Sequence, residues 1–384
     1  MLDTEALLSA PIPSSPTLKI SLPPIGNPWQ ALSFKGLDHL LQEYANGFAA
    51  TKHVMPFQRE IFRVDSDFQE GDVFQRALIL DTLLDFDTVL QHQLKEVITS
   101  EADYLLEVRR KSGVGGWAYF PGLRELPPDA DDLAQVMQVL LRAGRAEKAR
   151  LLIETPLNVL LNEQVNENGW ESWIIPAKDQ NEEQQLQTIW VNKGWGTGSD
   201  IEVIANLIYA LILFDKAKYA AAINRGITFL LNSHENRYCW KSTWYYGNYY
   251  GTWVSLRALC AANGPGETVE NAITFLEDSR LPDGSWAVEG QGSSPLQTAL
   301  ALLALSIAKQ YLGLKLHREW LDSSLHYLQQ TCTINSHWPA SPFIQMPMGR
   351  PVGFVHTILT YESAAITSNY VAKACHHIYH NHLN

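Results

Sequence analysis

Residues 115–140 read GGWAYFPGLRELPPDADDLAQVMQVL, and they decide how the chain is organised. Neither Pro127 nor Pro128 can lie in the interior of a helix, because proline lacks the amide hydrogen, and Asp129 is a good N-cap residue. The sequence therefore predicts a helix that begins at the acidic tetrad, residues 129–132, with three carboxylates at its N-terminus. Acidic side chains at a helix N-terminus also stabilise the helix by roughly 0.3–1 kcal/mol each, through their interaction with the helix dipole. The tetrad alone therefore does not distinguish a structural role from a catalytic one.

The composition excludes several classes of protein. The 384 residues carry 41 acidic and 29 basic side chains, a net charge of −12, which argues against a nucleic-acid partner because phosphate binding needs a basic surface. The four cysteines form no C-x-x-C pair, which favours a reducing, cytoplasmic compartment over a disulfide framework or a cysteine zinc site. No apolar stretch reaches the roughly 18 residues needed to span a bilayer, so any membrane contact is expected to be weak and peripheral.

A unit of roughly 50 residues recurs five times along the chain. Each unit has an amphipathic helix, a loop that ends in tryptophan, and a second helix that is apolar nearly all round. These tryptophans are Trp117, Trp170, Trp240, Trp286 and Trp338. A helix without a polar face must be buried, whereas an amphipathic helix can cover it, so the alternation predicts an inner and an outer ring. The predicted inner helices include residues 133–141, 201–214, 253–262 and 296–307, and the predicted outer helices include 267–278 and 319–330.

The two kinds of helix predict an all-α fold, a single α/α barrel of inner and outer helices joined by Gly-x-Trp turns. Five units and a degenerate first pair within residues 33–100 make about six hairpins, enough to close one barrel. We therefore expect one domain over residues 31–384. Residues 1–30 contain six prolines and no helical period, and they are predicted to form an extended arm on the surface.

The loops from outer to inner helices meet at one end of such a barrel, and they carry both the acidic tetrad and many of the aromatic residues. The chain has 12 Trp, 15 Tyr and 13 Phe. Burial of a carboxylic acid disfavours its charged form and keeps a proton available. Aromatic faces stabilise a developing cation without attacking it as a nucleophile would. The pattern therefore favours protonation of an alkene followed by carbocation chemistry.

The D-x-D-D tetrad, set within repeats of an aromatic-leucine pair followed by Gly-x-Trp, resembles the class II terpene cyclases of the squalene-hopene cyclase type. Further stretches agree with that family: GGWAY (115–119), EVIAN (202–206), WKSTWYYGNYYGTW (240–253), LPDGSW (281–286) and SPLQTALALLAL (294–305). The resemblance covers about residues 70–310. Because the second domain usual in the family has no matching sequence here, we expect a catalytic domain alone, as in the monodomain meroterpenoid cyclases of the merosterolic acid synthase type.

The resemblance implies roles for the matched residues. Asp131 would donate the proton, with Asp129 and Asp132 tuning its acidity. Asn206 takes the place of the His or Asn that faces the acid, and Tyr250 matches a tyrosine that orders a water nearby. The substrate-binding aromatic residues implied in the same way are Tyr119, Trp190, Trp195, Trp244 and Phe354.

The resemblance also implies the substrate, a hydrophobic prenylated small molecule in which geranylgeranyl is attached to a hydroxybenzoic acid. Such a reaction needs no metal and no organic cofactor; magnesium would be required only for a diphosphate substrate. A free prenyl diphosphate, as in drimenyl or copalyl diphosphate synthesis, needs a basic cluster at the cavity mouth, and the sequence shows no convincing one. That substrate and a non-catalytic isoprenoid-binding barrel are the alternatives.

Three other classes fit the sequence less well. A class I terpene synthase needs D-D-x-x-D, and the stretch from Asp131 has Gln135 at the last position. The protein prenyltransferase β-subunit has a zinc set containing D-x-C, which does not occur here. A glycoside hydrolase with an α/α barrel also uses paired carboxylates and aromatic platforms, and only the stretches around Asn206 and Tyr250 weigh against it. The histidines of residues 376–382 are interpreted as a solvated chain end rather than a metal site.

Overall fold

The computed structural model describes residues 20–57, 59, 66–162, 169–235, 238–288, 290–348, 350 and 357–383. These residues form helices α1 (Pro28–Ala45), α2 (Val73–Val89), α3 (Lys95–Val108), α4 (Ala130–Arg142), α5 (Ala146–Asn162), α6 (Glu182–Trp190), α7 (Ile201–Asp215), α8 (Ala220–Ser233), α9 (Tyr249–Ala262), α10 (Gly266–Asp278), α11 (Pro295–Tyr311), α12 (Arg318–Thr331) and α13 (Ala364–Ile378). The strands are β1 (His53–Pro56), β2 (Phe68–Gly71), β3 (Ser341–Met348) and β4 (Thr357–Ser363).

Six helices form a closed inner ring. Helices α2, α4, α7, α9, α11 and α13 pack side by side in that order, and α13 returns to α2. Helices α3, α5, α8, α10, α12 and α1 pack outside them. The predicted α/α barrel is therefore confirmed, and its degenerate first pair consists of α1 and α2.

Burial follows the predicted division between the rings. Every residue of the inner helix α4 from Ala130 to Leu140 is buried. The outer helix α10 buries only one stripe at helical spacing: Val269, Ala272, Ile273 and Leu276. Because burying a large aliphatic side chain contributes about 1.5–3 kcal/mol, the inner helices supply most of the apolar stabilisation.

The five repeated tryptophans join outer to inner helices through one recurring contact. Each indole is at most 1% exposed. Each Nε1 donates a hydrogen bond of 2.7–3.3 Å to a leucine carbonyl of the preceding outer helix: Trp117 to Leu105, Trp170 to Leu161, Trp240 to Leu230, Trp286 to Leu276 and Trp338 to Leu328. The indoles thereby satisfy carbonyls that a helix end leaves without a partner.

In three units the tryptophan backbone also binds the next inner helix. The N–H groups of Trp240 and Trp286 donate to Thr252 and Thr298, each 12 residues further on. Trp338 donates to the Ser368 hydroxyl, 30 residues further on. The last unit keeps the contact but accommodates the antiparallel hairpin β3–β4 before its inner helix.

The hairpin β3–β4 was not predicted, since the sequence showed few strand signals. It binds the loop before α9, where Tyr246 N–H donates to Phe343 O at 2.9 Å and Gln345 N–H donates to Trp244 O at 2.9 Å. This pairing places β3 against the barrel mouth.

The N-terminal arm was predicted over residues 1–30, of which residues 1–19 lie outside the described part. Residues 28–30 form the first turn of α1, where Asn27 is the N-cap and accepts a hydrogen bond from Gln30 N–H. None of the helices within the described residues is long and apolar enough to cross a bilayer.

Candidate active site

The acidic tetrad begins α4, as predicted. Asp129 has extended backbone angles, and its Oδ1 accepts a hydrogen bond from the Asp132 N–H at 2.7 Å. Asp129 N–H donates to Trp117 O at 3.0 Å, and Ala130 N–H donates to Ser172 O at 2.8 Å. Two tryptophan loops therefore hold the start of this helix at the barrel mouth.

Asp131 is buried, with 9% of its surface exposed. Its Oδ1 accepts a hydrogen bond from Asn206 Nδ2 at 2.7 Å, and its Oδ2 accepts one from the Tyr245 hydroxyl at 2.5 Å. Burial raises the pKa of Asp131 to about 7, although the hydrogen bonds from Tyr245 and Asn206 act to lower it. The acid and its conjugate base are therefore both accessible near neutral pH.

Asp129 and Asp132 are buried beside each other, and each is harder to ionise than an exposed carboxyl group. Burial raises the pKa of Asp129. Burial, and then the charge of Asp129, raise the pKa of Asp132 well above its usual range. The charge of Asp129 also raises the pKa of Asp131.

Arg257 fixes the orientation of the Asn206 side chain. Its Nη2 donates to Asn206 Oδ1 at 2.9 Å. Because a guanidinium group has only donors, this contact sets the amide oxygen toward Arg257 and the amide nitrogen toward Asp131. Arg257 is 8% exposed, and its guanidinium lies 4.4 Å from the ring centre of Tyr209 and 4.8 Å from that of Trp253.

Tyr245 binds Asp131 directly, and the sequence analysis missed it. Its ring stacks on Tyr250 with 3.8 Å between ring centres, and the Tyr250 hydroxyl accepts a hydrogen bond from Asn206 at 3.1 Å. Tyr250 thus supports the donors around Asp131 from behind Tyr245. The signal for Tyr245 was the tyrosine-rich stretch 240–253, which does not show which tyrosine faces the acid.

Glu202 holds the loop that carries Tyr245. It is completely buried on α7, and its Oε1 accepts hydrogen bonds from Thr243 N–H at 2.8 Å and Trp244 N–H at 2.7 Å. Burial, and then the charge of Asp200, raise the pKa of Glu202 to about 8. The EVIAN stretch therefore supplies both this loop anchor and Asn206.

The carboxylates of the tetrad line a cavity at the barrel mouth. Most of its other lining side chains are aromatic or aliphatic: Phe74, Tyr119, Phe120, Leu126, Trp173, Trp195, Val203, Trp244, Tyr245, Ile344 and Met346. Strand β3 thus supplies part of the wall.

The cavity contains three of the predicted aromatic residues, Tyr119, Trp195 and Trp244. Trp190 ends α6 and is not among the described residues that line this cavity. Phe354 lies outside the described residues.

The positively charged side chain of Arg350 lies beside Trp244, one of the residues that line the cavity. The Arg350 guanidinium lies 5.0 Å from the Trp244 ring centre and donates to Asp200 Oδ1 at 3.0 Å. Asp200 Oδ2 accepts from Trp244 Nε1 at 2.8 Å and from the Ser172 hydroxyl at 2.7 Å.

In the part of the chain that the structure describes, no group of three or more His, Cys, Asp or Glu side chains could hold a metal ion.

Together, a protonated acid, a set of donors for its conjugate base and an aromatic cavity define a barrel suited to proton-initiated carbocation chemistry. The family described as the squalene-hopene cyclase C-terminal domain matches residues 85–365. The chain belongs to this family of class II terpene cyclases, which are isomerases.

Individual proteins are similar to this chain over part of the sequence or in the fold. A Type B diterpene cyclase from Mycobacterium tuberculosis (strain ATCC 25618 / H37Rv) is 26% identical over 138 residues, which are 35% of this chain and 26% of that relative. A variant of the type II terpene cyclase MstE from Scytonema has a TM-score of 0.68 at 16% identity, covering 92% of this chain and 97% of that one. A possible GH105 family member from Klebsiella pneumoniae subsp. pneumoniae MGH 78578 has a TM-score of 0.57 at 12% identity, covering 96% and 97%. At such identities the structural likeness shows the fold alone, so the reaction is argued from the site.

Proposed function

We propose that Asp131 starts a cyclisation by protonating the terminal alkene of a linear polyprenyl chain. The observation that carries this proposal is the placement of Asp131, a buried acid in the wall of an aromatic cavity with donors on both oxygens. Proton transfer forms a C–H bond and leaves a tertiary carbocation, which the next alkene attacks. Asn206 and Tyr245 stabilise the carboxylate that remains, and the aromatic walls stabilise the cations in turn.

Asp129 and Asp132 adjust the strength of this acid in the proposed mechanism. Burial, and to a smaller degree the charge of Asp129, favours the protonated form of Asp131 until substrate binds. Burial and then Asp129 raise the pKa of Asp132 well above its usual range. Tyr119, Trp195 and Trp244 then form the walls over which the chain folds, and the proposed reaction requires no metal and no organic cofactor.

The proposed substrate is a geranylgeranyl chain on a dihydroxybenzoic acid. Arg350 lies beside Trp244 and is ion-paired with Asp200, so a head group there meets one guanidinium that is already partly neutralised, which suits one carboxylate better than the several charges of a diphosphate. The net charge of −12 also opposes a diphosphate more than a single carboxylate. A variant of MstE was solved in complex with geranylgeranyl dihydroxybenzoate as its substrate.

The test is product analysis after incubating the purified protein and EDTA with geranylgeranyl dihydroxybenzoate, and separately with geranylgeranyl diphosphate. We expect a product of unchanged mass and new retention time from the benzoate. The Asp131→Asn variant should lose this activity by about 1,000-fold or more while still binding the substrate. Asp103→Asn, at an exposed salt bridge, is the matched control.

Two outcomes would change the proposal. Turnover of the diphosphate alone, restored by magnesium, would make the protein a diterpene cyclase of the copalyl diphosphate type. Binding of the benzoate without conversion by the wild type would make it an isoprenoid-binding barrel. An Arg350→Met variant tests whether Arg350 binds the benzoate head group. If it does, the variant should raise KM for the benzoate substrate roughly tenfold and leave kcat nearly unchanged.

A further inference from the structure

Tyr119 and His53 form a hydrogen-bonded pair at the cavity wall. The Tyr119 hydroxyl accepts a hydrogen bond from Gln75 Nε2 at 2.6 Å and lies 2.9 Å from His53 Nδ1. The amide N–H takes one acceptor site of the hydroxyl and leaves the Tyr119 hydroxyl hydrogen available for the imidazole. In the tautomer of His53 that carries its ring hydrogen on Nε2, Nδ1 accepts this hydrogen from Tyr119.

The hairpin β1–β2 places His53 at this position. His53 pairs with Gly71 across the two strands. A Cβ atom on Gly71 would lie 2.2 Å from the Tyr119 carbonyl oxygen, so only glycine allows the hairpin to lie this close to the cavity wall. The close approach brings the imidazole behind Tyr119, which itself lines the cavity.

The surroundings of His53 keep it neutral at rest and tolerate a brief positive charge. Burial lowers the pKa of His53 to about 4. Its ring centre lies 5.6 Å from that of Tyr119, 5.5 Å from that of Phe120 and 5.0 Å from that of Tyr361. Aromatic rings at these distances stabilise an adjacent cation.

We propose that Tyr119 and His53 end the cyclisation by removing the final proton, an inference that rests on the proposed function. The C–H bond next to the last cationic carbon breaks, and its electron pair forms the product alkene. The released proton goes to the Tyr119 oxygen while the Tyr119 hydroxyl proton passes to His53 Nδ1. A neutral base suffices because a carbocation makes the neighbouring C–H strongly acidic. Tyr119 is the catalytic residue, and His53 acts through it.

The first test compares the products of Tyr119→Phe, His53→Gln and Tyr311→Phe with geranylgeranyl dihydroxybenzoate as substrate. Tyr119→Phe and His53→Gln should still consume substrate, since Asp131 is unchanged. The share of the wild-type alkene should fall roughly tenfold in favour of alkene isomers and water-trapped alcohols. Tyr311→Phe is the matched control, because its hydroxyl donates to Gly264 O and not to the pair. Unchanged products from both Tyr119→Phe and His53→Gln would overturn the proposal.

The second test needs no substrate. Nitrogen-15 NMR of histidine-labelled wild-type protein, with His53→Gln to assign the signal, reports the tautomer of His53 near pH 7. An Nε2–H ring whose Nδ1 signal shifts in Tyr119→Phe supports the pair as drawn. An Nδ1–H ring or an imidazolium would overturn it, because neither could accept the Tyr119 proton. Failure of the proposed function would instead appear as no turnover by the wild type.

Discussion

At the scale of single residues, the proposed mechanism requires Asp131 to hold a proton until the substrate is bound and then to release it. Burial and the charge of Asp129 favour the protonated form, whereas the donors Asn206 and Tyr245 favour the carboxylate. These opposing effects bring the pKa of Asp131 to about 7. A weaker acid would not protonate an alkene, and a stronger one would already be ionised.

This balance predicts how activity depends on pH. Protonated Asp131 is the reactive form, so activity should be highest well below the pKa of about 7 and should fall roughly tenfold per pH unit above it. The measurement is the initial rate of benzoate cyclisation across the pH range in which the protein stays folded by circular dichroism. A rate that stays level or rises above this pKa would contradict the assignment of Asp131 as the acid.

Arg257 should affect the rate through Asn206. Replacing it with methionine frees the Asn206 amide to turn its oxygen toward Asp131, which would no longer stabilise the carboxylate. We expect Arg257→Met to lower kcat roughly 10- to 100-fold with little change in KM, and Arg257→Lys, which keeps a donor, to recover part of the loss.

The control for Arg257 is Arg280→Met, which removes a guanidinium 5.1 Å from the Trp320 ring centre, away from the tetrad. Its kcat should match that of the wild type. If Arg257→Met lowered stability but left kcat and its pH dependence intact, Arg257 would be a packing residue only.

At the scale of elements, the tryptophan turns should contribute stability and not catalysis. Trp286→Phe removes the hydrogen bond to the Leu276 carbonyl and leaves that buried group without a partner. The expected loss is about 1–3 kcal/mol in the free energy of unfolding, measured by urea titration, with kcat unchanged. Trp320→Phe, on the outer helix α12, should lower the free energy of unfolding by less. An equal decrease in the two variants would mean that the hydrogen bond from the Trp286 indole does not stabilise the fold.

The repeated elements were predictable because their signals are periodic and independent of distant residues. The tryptophan loops, the apolar inner helices and the N-cap at Asp129 each depend on local sequence, and all except the last inner helix, α13, were predicted. Hairpin β3–β4 gave no such signal, since its first strand contains Pro342 and Pro347, and proline usually opposes a strand. The register shift next to Pro342 shows how the strand accommodates one of them.

The residues around Asp131 were only partly predictable. Asp131 and Asn206 were predicted from the resemblance of their stretches to the cyclase family, because the helices that carry them are buried on nearly every side and helical spacing marks no inward face. Tyr245 lies in a stretch with three other tyrosines, Tyr246, Tyr249 and Tyr250, and no period indicates which ring faces the acid. The position of Tyr245 depends on the Glu202 side chain, which binds the loop backbone at Thr243 and so joins two segments about 40 residues apart in sequence.

At the scale of the whole molecule, the barrel closes where its first inner helix, α2, meets its last, α13. A buried ionic cluster lies at this closure. Lys373 of α13 is bound to Asp81 at 2.9 Å and also to Asp85, and Asp85 binds Arg142 of α4 at 2.6 Å. Burial acts to raise the pKa of both aspartates, but the charges of Lys373 and Arg142 outweigh it and lower both values.

Removing Lys373 should therefore destabilise the contact between α2 and α13 more than removing an exposed lysine would destabilise the fold. Lys373→Met leaves two buried aspartates with less positive charge and should lower the free energy of unfolding by about 3–5 kcal/mol. Lys218→Met, at a half-exposed salt bridge to Glu154, should change it far less. Equal losses in the two variants would show that closure depends on apolar packing alone.

The same cluster predicts a pH dependence that distinguishes a charge effect from lost packing. Since folding lowers the pKa of Asp81 and Asp85, their contribution is present above the ordinary carboxyl value of 3.8 and is lost as pH falls below it. Wild type should thus lose stability on acidification more steeply than Lys373→Met, and the two urea midpoints should converge toward low pH. A constant difference between them at every pH would assign Lys373 to packing, and the ring would then close without help from its charges.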